Sequence, residues 1–235
     1  MSAIGYRDLA GQFRALRRMD DAQAHYAKAL ELEPALISAR VLYGQLLHER
    51  MFRRAAEEHL TYAWQHGGGN TAAILPLCNL LREQDRAGEC IPLLDEALKR
   101  QPADGHLWSY LGQTKRGLAD HAGAGSAFAR AADIMSDDPS ARLRAAEQFE
   151  AAGLHAQAEF HYRALVAEHP NAATAHFHFA RFIARESGRC DEAMSHAEQA
   201  LKLADDPGAP PRSVIQSLIA AIRGGRTSPA SEFRL

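Results

Sequence analysis

Apolar residues recur at intervals of three and four along most of the chain, the spacing of amphipathic helices. Stretches such as "ERMF", "DRAG" and "EAAGLH" interrupt that rhythm, and Pro34, Pro102 and Pro170 end longer blocks. A proline there stops a helix, because it lacks the N–H that the next turn needs. The pattern is also self-similar at 34 residues. Stepping by that interval gives Ala10, Gly44, Cys78, Gly112, Ala146 and Ala180, which are all small. One residue earlier stand Leu9, Tyr43, Leu77, Leu111, Ala145 and Phe179, apolar throughout. Ala22, Ala56, Cys90, Ala124 and Ala158 form a second small column, and Tyr26, Leu60, Leu94, Phe128 and Tyr162 a large apolar one. Each repeat therefore predicts two helices that cross closely where their small residues meet. Gly112 is expected to let its helix approach the next one at Ala124, with Trp108 and Leu111 beside the crossing.

Repetition at this interval, with Trp108, Leu111, Gly112, Ala124, Phe128 and Ala131 in the fourth block, resembles the tetratricopeptide repeat. The first block, with Tyr6, Leu9, Ala10, Phe13, Ala22, Tyr26, Ala29 and Pro34, matches almost as well. The resemblance implies an all-α fold, a right-handed α-solenoid of antiparallel helix pairs. Six repeats are expected, at about residues 3–36, 37–70, 71–104, 105–138, 139–172 and 173–206, as one solenoid domain over 1–223. A closing helix is expected at 211–223, with Val214, Ile215, Leu218, Ile219 and Ile222 on one face. Such a helix covers the apolar flank that the last repeat would otherwise leave in water. The break "DDPGAPP" precedes it, and the tail 224–235 is expected to be disordered.

Three departures carry expectations of their own. The tryptophan column holds Arg40, Arg142 and His176 in three repeats, so that position is poorly kept. Pro76 and Pro92 predict late starts or kinks in the third repeat. Ala197, where other repeats have a large residue, makes the sixth repeat the expected weak point in packing.

Composition narrows the function. Lys plus Arg is 27 against 29 for Asp plus Glu, a net charge of −2, which gives no global attraction to nucleic acid or an anionic membrane. No apolar run suits a membrane span, and the N-terminus has no signal-peptide order, so the expected setting is cytoplasmic. Among twelve histidines, His176 and His178 point about 200° apart on a helix, and pairs such as Glu192 and His196 lack a third ligand. No metal and no cofactor is expected. Cys78 and Cys90 occupy the two small columns of one repeat and should lie close together. They read first as small buried hydrophobes and second as a redox pair. Cys190 is expected to be exposed. With no catalytic motif in the chain, an enzyme is the minority reading.

The resemblance implies that the first helix of each repeat lines a concave groove for an extended peptide. Candidate groove residues are Arg14, Gln45, His48, Asn79, Arg82, Tyr110, Gln113, Arg116, Arg144, His178 and Arg181. Gln45, Asn79 and Gln113 supply amides in line, while Arg14, His48, Arg82 and Arg116 form a mainly basic ladder suited to carboxylates. Of the family's carboxylate-clamp residues only Asn79 has a close counterpart, so that subfamily's chaperone-tail specificity is not carried over. Glu147 and Glu150 make the later part of the stripe acidic. Three readings stay open: a scaffold or adaptor binding an acidic or C-terminal peptide, a recognition module for a separate catalytic partner, and a self-assembling structural protein. Against the first stands the plain alternative that the ladder is solvated helix surface.

Overall fold

The computed structural model describes residues 1–68, 71–185, 189–205 and 208–224. Part of the "DDPGAPP" break and the tail from 225 onward lie outside these. Among the described residues there are thirteen α-helices and no strand. In chain order they are α1 Ala3–Ala15, α2 Met19–Leu32, α3 Ile37–Glu49, α4 Arg53–His66, α5 Ile74–Glu83, α6 Cys90–Arg100 and α7 Gly105–Gly117. Then follow α8 His121–Ile134, α9 Pro139–Ala151, α10 His155–Glu168, α11 Ala173–Ile183, α12 Cys190–Lys202 and α13 Arg212–Arg223. The chain divides into two compact units, Met1–Leu118 and Ala119–Leu235.

In the first unit, α1 packs on α2 and α3 on α4, with Ala10, Ala22, Tyr26, Leu46, Ala56 and Leu60 fully buried. Small residues at the crossings are a steric requirement. A Cβ on Gly44 would lie 2.7 Å from Leu60 Cγ and 3.3 Å from the Ala56 carbonyl oxygen. Pro76 and Pro92 act as starts. Each stands in the first turn of its helix, where its missing N–H has no intrahelical partner to lose. Short 3₁₀ turns at Thr71–Ala73 and Ala87–Glu89 precede α5 and α6, so both helices begin late, as predicted.

In the second unit α9 packs on α8 and α10, and α11 on α12. The sixth repeat corrects the expectation of poor packing. Ala193, Ala197 and Ala200 are fully buried, and the missing bulk on α12 is supplied by Phe177, Phe179, Phe182 and Ile183 of α11. Helix α13 adds Ile215, Leu218, Ile219 and Ile222 to the same core, with Val214 partly buried beside them. It packs on α12. No described helix is long and apolar enough to cross a membrane.

The turn inside each of the first five pairs is a repeated device. Residues Arg17, Met51, Asp85, Ala119 and Gly153, again 34 apart, all have positive φ, from 59° to 72°. At four of these turns the following N–H reaches back five residues: Arg18 to Phe13, Phe52 to Leu47, Arg86 to Leu81 and Leu154 to Phe149, at 2.8–2.9 Å. This is the Schellman closure, in which one left-handed residue lets the chain satisfy carbonyls at the helix end.

Candidate functional site

The first helices of successive repeats in the first unit are joined side chain to side chain along one face. Arg14 on α1 pairs with the Glu49 carboxylate of α3, and its Nη1 donates to Gln45 Oε1 at 3.3 Å. His48 Nε2 on α3 lies 2.8 Å from Glu83 Oε2 on α5. Both carboxylates stand 35 residues after the groups they meet. The same offset from Arg82 falls on Gly117, which has no side chain to offer.

Arg82 is consequently used differently. Its Nη1 donates to the Tyr110 hydroxyl at 3.2 Å, and that hydroxyl donates to Asn79 Oδ1 at 2.5 Å. The Arg82 guanidinium also lies 5.7 Å from the Tyr110 ring centroid. Burial holds the Tyr110 phenol above its ordinary pKa, partly offset by Arg82, so it remains a donor. Since Asn79 accepts through Oδ1, its amide N–H groups are left to donate outward. Asn79 and Arg82 are exposed, and one and two turns along α7 from Tyr110 stand half-buried Gln113 and exposed Arg116. Among the described residues neither Arg82 nor Arg116 makes an ion pair with a carboxylate. The basic ladder expected from the sequence is thus shortened. Arg14 and His48 are engaged by glutamates, and Asn79, Arg82, Tyr110, Gln113 and Arg116 form the open part.

The remaining candidates lie in the second unit, in a different environment. Arg181 on α11 sits 3.9 Å from both Glu147 and Glu150 of α9, while Arg185 makes the close contact with Glu150. Tyr162 of α10 donates to Glu150 Oε2 at 2.8 Å, and burial pushes its phenol well up. His178 Nδ1 is 3.4 Å from Glu147, yet its pKa is lowered to about 4 by burial and by the Arg181 charge. The ring is therefore neutral at pH 7, and the contact is dipolar rather than an ion pair. Arg144 lays its guanidinium over the Phe128 ring, 5.9 Å from the centroid. Arg181 and Arg185 meet Glu147 and Glu150 here, so this part of the stripe is not the acidic stretch expected from the two glutamates alone.

Sequence reading missed one column. His25, His59 and His161 stand on second helices at multiples of 34, and His196 follows one residue late. Each packs on an aromatic ring of its own repeat: Phe13, Tyr43, Phe149 and Phe179, with centroids 4.8–5.3 Å apart. Stepping the histidines by the repeat length would have exposed it. Among the described residues no group of three or more His, Cys, Asp or Glu side chains is placed to hold a metal ion.

The helix-pair architecture is shared with solved structures. The MamA protein superposes with a TM-score of 0.62 at 18% identity, over 73% of this chain and 94% of that one. A tetratricopeptide repeat protein from Parabacteroides merdae gives 0.61 at 14% identity, over 98% and 94%. The chain has the tetratricopeptide-repeat fold. YrrB, a repeat protein of this kind with an unusual peptide-binding site, gives 0.58 at 20% identity over 74% and 90%. No protein-family model and no curated protein sequence matches the chain.

Proposed function

We propose that this chain is a protein-interaction scaffold that holds an acidic or C-terminal peptide of a partner protein at the open cluster on α5 and α7. The observation that supports it is a contrast within one column. Arg14 and His48 meet carboxylates of the chain itself, whereas Arg82 and Arg116 keep their charge for a ligand. Arg82 is held in place by Tyr110 and Asn79 without being neutralised, so little side-chain freedom is lost when an anion arrives. A carboxylate there would accept from the Arg82 fork and the Asn79 amide, with Arg116 nearby. The reading is non-enzymatic, uses no cofactor, and excludes nucleic acid and membrane as primary partners. A cytoplasmic setting belongs to the same proposal.

The test is fluorescence anisotropy with peptides ending in an acidic residue and a free carboxylate, against the same peptides amidated. Loss of one charge-assisted hydrogen bond costs about 1.5–3 kcal/mol, or about 10- to 100-fold in Kd. Arg82→Gln is expected to weaken binding by that factor, and Tyr110→Phe by less. Arg14→Gln, which removes an arginine already paired with Glu49, is expected to change it little. Equal binding of carboxylate and amide, or insensitivity to Arg82→Gln, would overturn the proposal.

A further inference from the structure

Cys78 and Cys90 sit in the two small columns of the third repeat, where α5 and α6 cross. Both are buried and free. The equivalent crossing in the second repeat brings a Cβ built on Gly44 within 3.3 Å of the Ala56 carbonyl oxygen. In the third repeat the Cys90 thiol donates to the Cys78 carbonyl oxygen at 3.5 Å. That contact sets the two cysteines against each other at the crossing, the neighbourhood from which a disulfide can close.

The two thiols are not equivalent. Cys90 is the first residue of α6, and its own N–H is taken up by the carbonyls of the 3₁₀ turn that runs into it. The neighbouring Cys78 thiol holds the Cys90 thiol below its ordinary pKa against its own burial, with the Arg82 charge acting the same way. The same neighbour contact, together with burial, pushes Cys78 up. The pair divides into a nucleophile and a proton-bearing resolving thiol.

We infer that Cys78 and Cys90 form a reversible dithiol–disulfide site, with Cys90 as the attacking sulfur and a small-molecule disulfide as the oxidant. The Cys90 thiolate attacks one sulfur of the oxidant, forming a mixed disulfide and releasing one thiolate. Cys78, losing its proton, then attacks Cys90 Sγ and releases the second. In balance, two protein thiols are oxidised to one disulfide while the oxidant is reduced to two thiols. Burial makes the first step slow, since it requires the short 3₁₀ turn at Ala87–Glu89 to open. Exposed Cys190 reacts without that delay.

The experiment treats the full chain carrying Cys190→Ser with oxidised glutathione and follows intact mass and free thiols. Cys78→Ala and Cys90→Ala should both fold, since alanine occupies these columns in other repeats. The expected result is loss of both thiols together, a product two hydrogens lighter with no retained glutathione, and recovery of both thiols on reduction. Cys78→Ala should instead stop at a stable glutathione adduct on Cys90. Survival of both thiols while Cys190 of the unsubstituted chain is consumed would overturn the inference. So would a persistent glutathione adduct in the chain that keeps both cysteines.

Discussion

At the scale of single residues, the left-handed turn positions are where sequence and backbone disagree most. Arg17, Met51, Asp85 and Ala119 hold positive φ although only Gly153 of that column is free of the steric penalty. A side chain in this region costs about 1–2 kcal/mol, because Cβ crowds the following carbonyl. Nothing lies within 4 Å of a Cβ built on Gly153, so Gly153→Ala isolates the backbone effect. It should lower stability by about 1 kcal/mol. Met51→Gly should move stability the other way by up to about 1 kcal/mol, because exposed Met51 has little packing to lose. Urea midpoints of the two variants check the pair. Movement in the same direction would show that side-chain contacts, rather than φ, govern these turns.

At the scale of the helix pair, three residues of the tryptophan column share one contact, a nitrogen set against the carbonyl of the preceding proline. Trp108 Nε1 donates to the Pro102 carbonyl at 2.9 Å, Arg40 Nε to Pro34 at 2.8 Å, and His176 Nε2 lies 2.9 Å from the Pro170 oxygen. Each ties the start of a repeat to the proline that ends the one before. At Arg40, Trp108 and His176 the property retained is a nitrogen six residues after a proline carbonyl rather than an apolar side chain, whereas Arg142 pairs with Glu168 and Ile74 has no donor. Arg40 also stacks 3.6 Å from the Tyr62 ring centroid. Arg40→Met should cost about 1–2 kcal/mol from the two lost contacts, and Arg40→Trp should cost less because it restores the donor. Equal losses for both variants in denaturant titration would remove the donor explanation. The helices themselves were legible, since small and large apolar columns dictate crossings and proline dictates ends. The candidate site was legible only in part. Arg14 and His48 shared a column with Arg82 and Arg116, but their partners Glu49 and Glu83 stand one residue beyond the repeat interval. Comparing residues at equal register hides that offset, because neighbouring helices touch across it.

At the scale of the whole molecule, burial of histidine makes the chain sensitive to acid. His59, His161 and His196 have pKa values lowered chiefly by desolvation, and His178 falls to about 4. A histidine whose folded pKa lies below its unfolded value of about 6.5 binds more protons when unfolded. The stability it contributes is therefore fully present above that unfolded value and is lost progressively as pH falls toward the folded one. For His178 the loss between about pH 6.5 and pH 4 is on the order of 3 kcal/mol. Glu159 and Asp138, lowered by Arg189 and by Ser140 respectively, extend the same trend below that window. The urea midpoint should be level from about pH 7 to pH 8 and fall continuously below about pH 6.5. Replacing His178 with Gln, which cannot take up a proton, should flatten the upper part of the fall. An unchanged slope in that variant would mean that the Glu147 contact sustains a charged ring, with Arg181 too weak to oppose it.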